Sequence, residues 1–227
     1  MKILIILNSH DRIGDSDRRT GLWFEELTTP YYAFLDAGAQ VDIASVAGGK
    51  VPIDPHSIEE ADKNPASVTR FLADAAAMAK IGSSPAIADV SVDDVDAVFL
   101  PGGHGTMWDM PENATLGALL SDPWAKGKVV AAVCHGPAGL VGAKDETGKP
   151  LVAGRPVAAF TNEEEEMAGL TKQVPFLLET RMRELGAHYE SGAAFRPFAR
   201  RAGKLVTGQN PQSSEEVARL VLEAARG

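Results

Sequence analysis

The sequence has one cysteine, Cys134, which excludes an internal disulfide framework and fits a reducing cytosol. It also lacks a long apolar run. The opening stretch from Lys2 to Leu7 gives way at once to Asn8, Ser9, His10 and Asp11, too short for a signal peptide or a membrane span. Basic residues are in deficit: 22 Lys and Arg against 31 Asp and Glu leave a formal charge of −9 and a pI near 5.1. Nucleic acid and anionic membrane are therefore disfavoured as partners. No Gly, Ser and Pro linker and no repeat period divides the chain. Neither GxGxxG nor GxxxxGK[ST] occurs, so no nicotinamide cofactor or ATP is indicated, and no cofactor is expected. The five histidines, His10, His56, His104, His135 and His188, are scattered without ligand spacing on one element, so no metal is expected.

What is present is enough apolar residue, 44% of 227, to bury a substantial core in one domain over residues 1–227. Lys2 to Leu7 reads as a strand. The helical spacing of Leu22 to Leu35 follows, stopping at Ala37-Gly38, and then a strand from Val41 to Ser45. Strand, helix, strand is the first unit of a doubly wound sheet. Residues 46–90 exceed a minimal crossover and read as a small inserted cap beside the site, with helices near Ser57 to Lys63 and from Pro65 to Ile81. In the second helix Val68, Phe71, Leu72, Ala75 and Ala79 share a face. Further strands are expected at Ala97 to Leu100, Val129 to Val133, Pro156 to Phe160 and Lys204 to Thr207, and helices at Asn113 to Leu120 and Phe176 to Leu185. In the last helix Ser213 and Glu216 have capping-box spacing, and Val217, Leu220, Val221 and Ala224 give an apolar face. The whole predicts an α/β, flavodoxin-like, doubly wound and mainly parallel sheet with helices on both faces.

The chemistry concentrates around Cys134. Val129 to Val133 is a buried strand, and Gly136, Pro137 and Gly139 turn the chain sharply after it. A lone cysteine is commonly a structural thiol. At a strand-to-helix turn beside His135, however, it has the setting of a nucleophile elbow, and free N–H groups with a helix dipole are expected to lower its pKa. Pro101-Gly102-Gly103-His104-Gly105, at the carboxyl end of the preceding strand, can turn backbone amides toward a ligand, and Trp108 follows closely. Glu26 reads, by itself, as one more solvated helix carboxylate. The run Glu163 to Glu166 reads likewise, as a solvated helix start.

Taken together, Glu26 four residues before Pro30, Pro101 to Gly105, Ala132 to Gly136, Phe160-Thr161-Asn162 and Val206 to Pro211 resemble the ThiJ/PfpI superfamily. Within it the chain is most similar to the heat-shock chaperone and glutathione-independent glyoxalase branch, often catalogued as type 1 glutamine amidotransferase-like. The resemblance implies that Cys134 is the nucleophile, Glu26 the proton-shuttling acid beside it and His135 the base. It implies an oxyanion held by the amides of Gly103 and His135, with Gly102, His104 and Trp108 around the substrate. The acid that orients the histidine aligns at Glu165, with Glu163, Glu164 and Glu166 adjacent. The implied reaction converts methylglyoxal or another small 2-oxoaldehyde to the 2-hydroxy acid, a D-lactate dehydratase type of lyase chemistry. A cytoplasmic homodimer with possible stress-protective chaperone or deglycase activity belongs to the same implication. Two alternatives stay open: a glutamine amidotransferase using His188-Tyr189-Glu190, and a non-enzymatic holdase whose thiol senses oxidation.

Overall fold

The computed structural model describes residues 1–58 and 64–227. Strand β1 (Lys2–Leu7) lies between β2 (Gln40–Ser45) and β3 (Ala97–Leu100), both parallel to it. Next comes β4 (Val129–Val133) and, past the two-residue strands β5 (Pro156–Val157) and β6 (His188–Tyr189), the edge strand β7 (Ala199–Ala202) and β8 (Leu205–Gly208). The main sheet has the order β2-β1-β3-β4-β8-β7, parallel except for antiparallel β7, while β5 and β6 pair in a small parallel sheet of their own. Every residue of β3 and β4 is buried. Successive side chains of a strand point to opposite faces, so both faces of the sheet are covered, as valine-rich unalternating runs require.

The helices are α1 (Phe24–Asp36), α2 (Ala66–Ala73), α3 (Ala75–Gly82), α4 (Thr106–Asp109), α5 (Ala114–Ala125), α6 (Asn162–Met167), α7 (Leu178–Glu184) and α8 (Ser214–Arg226). Helix α8 buries Val217, Ala218, Val221 and Ala224 and packs against α1, β4 and β8. Helix α5 covers β3 and β4. Each Leu, Ile or Phe so removed from water contributes about 1.5–3 kcal/mol.

Several expectations from the sequence are corrected. The helix expected from Pro65 to Ile81 is two: Asp74 takes an extended conformation, and its carboxylate accepts from the N–H groups of Ala76 and Ala77, starting α3 afresh. The break rotates the apolar face of α3, so Ala75 and Ala79 are exposed while Ala77 and Ile81 are buried; Leu72, in α2, is exposed as well. The helix expected near Ser57 to Lys63 lies mostly outside the described residues, and Ser57 itself closes a 3-10 turn, Pro55–Ser57. Only Pro156 and Val157 of the strand expected to Phe160 pair as such. Ser213 does not form a capping box with Glu216; its hydroxyl donates to Asn210 Oδ1 and accepts from the N–H of Phe198. The capping box is instead at Thr161 and Glu164, opening α6.

Among the described residues, 46–90 pack on the outer side of α1 and beside β2, through Phe71 set edge-on to Phe24 and Tyr31. Phe71 is fully buried, and cutting it back leaves a cavity that the rigid α1 cannot collapse into. Phe71→Ala is expected to lower unfolding free energy by about 3–5 kcal/mol in urea titration. A loss below about 1 kcal/mol would show that the segment is not anchored there.

Candidate active site

The strand order reverses between β1 and β3, and the crevice outside the carboxyl ends of such strands is where doubly wound sheets place ligands. Four segments meet there. Helix α1 starts after the β1 loop and brings in Glu26; the turn after β3 brings in Gly102, Gly103 and His104; the turn after β4 brings in Cys134 and His135; α6 brings in Glu164 and Glu165. Cys134 has φ +59°, a left-handed conformation that costs a non-glycine residue strain. It is pinned on both sides, its N–H donating to Gly208 O at 3.0 Å and its carbonyl accepting from Phe160 N at 2.9 Å.

The glycines beside it are required by close approach. A Cβ on Gly102 would stand 2.6 Å from His135 N and 2.8 Å from Glu26 Oε2, and one on Gly103, at φ +99°, would stand 2.2 Å from Gly21 O. The Gly102 N–H donates to Glu26 Oε2 at 2.7 Å. The Gly103 N–H is directed at the Cys134 sulfur, and His135 N has no carbonyl partner among the described residues. One amide is thus directed at the thiol and the adjacent His135 amide is left unpaired, donors of the kind an oxyanion needs.

Glu26 is fully buried, and its Oε1 is sealed with no N–H or O–H partner while the carboxyl faces the Cys134 thiol. Burial pushes its pKa well up, which favours its protonated form. Burial pushes the Cys134 thiol up too, with Glu26 adding to the shift. This corrects the expected lowering. The helix after the cysteine, Gly136–Gly142, is a 3-10 turn too short and irregular for a strong dipole, and among the described residues no Lys or Arg lies at the cavity beside the sulfur.

His135 Nδ1 lies 3.3 Å from Cys134 Sγ, and its Nε2 is 2.8 Å from Glu165 Oε2. Burial, with His104 next in effect, pushes its pKa down to about 4, so the ring is a neutral base at neutral pH. Glu165, although desolvated, is held below the usual carboxylate range by the two rings it accepts from. Glu164, one residue earlier, faces the other way. Its Oε1 accepts from Phe195 N, Gln209 Nε2 and Asn210 Nδ2, and its Oε2 from the N–H and hydroxyl of Thr161. Both are buried, at 0% and 2% exposure, so the sequence picture of a solvated acidic helix start does not hold for them. His104, His135 and Glu165 are the group of metal-ligand composition among the described residues, with ligand atoms within 4.8 Å of one another. Each carboxylate oxygen is already taken by a ring nitrogen at 2.8 Å.

Cys134 lies on a cavity of about 190 Å³ walled by Trp23, His104, Phe160, Phe195, Ala168 and Pro211. Among the described residues no Lys or Arg lines it. A larger groove of about 460 Å³ near the amino end of β1 is lined by Lys2, Asp42, Lys80 and Asp94, with neither cysteine nor histidine among its described lining residues. Trp108 is not at the cavity, contrary to expectation. Its ring stacks on His10, 5.1 Å between centroids, while Asp109 accepts from the N–H groups of Ser9 and His10 and fixes that loop. The wall residues that sequence reasoning missed are Trp23, Ala168, Phe195 and Gln212. Of these Phe195 has a left-handed φ of +52° that no residue type at that position announces. His188 and Glu190 are exposed, with Glu190 paired to Arg200, so they take no part in this cluster.

A family model described as the DJ-1/PfpI family matches residues 23–224. The chain is 32% identical to "Glutathione-independent glyoxalase HSP31" of Saccharomyces cerevisiae, covering 99% of this chain and 98% of the relative. It is 29% identical to "Glyoxalase 3" of Candida albicans, with coverage of 99% and 98%. The crystal structure of glyoxalase III from Candida albicans superposes with a TM-score of 0.90 at 29% identity, over 99% of this chain and 97% of that one. The Rapid Encystment Protein 24 KDa of Francisella tularensis superposes with a TM-score of 0.95 at 38% identity, over 99% and 98%.

Acid stability reads out the buried imidazole. His135 takes its proton near 6.5 when unfolded but only at about 4 when folded, so its contribution to stability is complete above 6.5 and is lost as pH falls to 4. Relative to His135→Asn, wild type is expected to lose up to about 3 kcal/mol across that window in urea titrations. A difference that does not change with pH would show that the ring is not held neutral.

Proposed function

The chain belongs to the DJ-1/PfpI family, and from that premise we propose that it converts a small 2-oxoaldehyde such as methylglyoxal to lactate without glutathione. The observation that carries this is the constellation at the elbow: a strained cysteine 3.3 Å from His135 Nδ1, a sealed Glu26 carboxyl against its sulfur, and two free amides. The relatives named as glyoxalases support it.

In this reading His135 Nδ1 takes the thiol proton as sulfur adds to the aldehyde carbon, forming a hemithioacetal whose oxygen the amides of Gly103 and His135 hold. Cys134 thus replaces the thiol that glutathione supplies elsewhere. Glu26, its pKa raised by burial, gives its proton to the hemithioacetal oxygen, and the carboxylate so formed takes the proton from the first carbon and returns it to the second through an enediol. The product on sulfur is a thioester, and hydrolysis frees the 2-hydroxy acid. One carbon is oxidised as its neighbour is reduced, so no redox cofactor enters. The cavity suits the substrate: its aromatic wall accepts a methyl group, and the lack of Lys or Arg among its described lining residues favours an uncharged oxoaldehyde over an oxo acid. The reading extends to a D-lactate dehydratase type of lyase and to a cytoplasmic homodimer, whose mass light scattering measures.

Metal-stripped, glutathione-free protein supplied with methylglyoxal is expected to yield lactate, and Cys134→Ala to yield none. Equal yields from both would mean a contaminant. Glutamate from glutamine with no lactate would mean an amidotransferase, and turnover of neither would favour a holdase. Glu26→Gln keeps the shape but not the exchangeable proton, so turnover is expected to fall by roughly two to four orders of magnitude. Glu25→Gln, on the half-exposed neighbour, is expected to do far less.

A further inference from the structure

Glu165 holds two imidazoles. Its Oε2 meets His135 Nε2 at 2.8 Å and its Oε1 meets His104 Nε2 at 2.8 Å. An ionised carboxylate can only accept, so each Nε2 carries the hydrogen and each neutral ring presents Nδ1 as a bare lone pair. One carboxylate therefore sets the tautomer of two bases. The first, His135, spends its lone pair on Cys134 Sγ at 3.3 Å. The second has no such partner. His104 Nδ1 makes no hydrogen bond among the described residues and is not one of the atoms sealed from solvent. Its side chain is 13% exposed where that of His135 is 1% exposed, the two ring centroids lie 4.0 Å apart, and both rings wall the cavity that holds Cys134.

The chemistry leaves a task for such a group. Once an acyl group sits on sulfur, water must lose a proton as it attacks, and it arrives from the cavity side, where His104 and not the buried His135 is accessible. We propose that His104 is the general base of this second half-reaction, taking a proton from water onto Nδ1 as the water oxygen attacks the acyl carbon on Cys134. The new C–O bond forms, the tetrahedral oxyanion collapses, the C–S bond breaks, and the proton on His104 passes to the departing sulfur. Free acid and Cys134 thiol result, with no change in oxidation state. Glu165 steadies the transient imidazolium as the acidic member of a triad does. The assignment rests on the thioester of the reading above, yet it needs only an acyl group on Cys134, whatever its origin.

The test uses p-nitrophenyl acetate to acetylate Cys134 in the full chain, and intact-mass spectrometry to follow loss of the acetyl group. His104→Gln keeps an amide N–H for Glu165 and lacks a ring base. Deacetylation of the variant by water is expected to be at least roughly 10²-fold slower than wild type. Hydroxylamine, which needs no base, is expected to strip both proteins at the same rate. With methylglyoxal the variant is expected to accumulate lactoyl-protein. Equal rates with water would overturn the proposal, and so would a hydroxylamine rate that falls as far as the water rate, because the variant would then have a distorted site. If wild type makes no lactate while acetyl release still depends on His104, the glyoxalase reading fails and the base assignment stands.

Discussion

The left-handed turn at Cys134 is the constraint around which the site is fitted. A φ of +59° in a cysteine persists only where the surroundings over-determine it, and here the flanking backbone is bonded on one side to Gly208 and on the other to Phe160. The turn lifts the thiol out of the sheet toward Gly103, and there is room for it only because Gly102 and Gly103 present no side chains to the His135 amide and the Gly21 carbonyl. The Gly102 N–H in turn fixes Glu26. One backbone conformation thus places thiol, carboxyl and amides together, with no Lys or Arg at the sulfur among the described residues.

Burial without a counter-charge explains the division of labour among the acidic side chains. Glu26 has one backbone donor and a thiol, too little to offset the burial of a negative charge, so its pKa is pushed well up. Glu164 has five donors, all neutral, and serves as a knot between the start of α6, the Gln209-Asn210 turn and the chain at Phe195. Glu165 has two imidazoles. Three glutamates within one small crevice carry out different tasks because their donor sets differ, not because their side chains do.

Much of this was legible in the sequence, and the limits have physical causes. The strands β1, β3 and β4 were readable because unbroken apolar runs admit few other readings, and β3 and β4 match the expected spans of Ala97 to Leu100 and Val129 to Val133. The edge strand β7, with the composition Ala-Arg-Arg-Ala, carries no apolar signal, since it is only partly buried. The α2–α3 break was missed because Asp74 acts by its own carboxylate on the two following amides, a local competition that periodicity does not register. At the site, Cys134 and the glycines stood out by position. Glu165 could be placed only through resemblance, and periodicity gave no reason to expect Glu164 and Glu165 to be buried. Trp23 and Phe195 reach the cavity through tertiary packing alone, whereas Trp108 is drawn off by His10.

The placement of β8 between β4 and β7 has a consequence for the order of events as the chain folds. The amide of Cys134 is satisfied by Gly208, a residue far downstream, and the carbonyl by Phe160, so the elbow cannot close on the segments that precede it. Contacts of such long sequence separation form late and slowly, because loop-closure entropy must be overcome before they contribute. A growing chain therefore carries Cys134 on an unconstrained backbone, and the left-handed elbow closes only when the final strand is in place. The geometry around the sulfur is among the last local features of the fold to form.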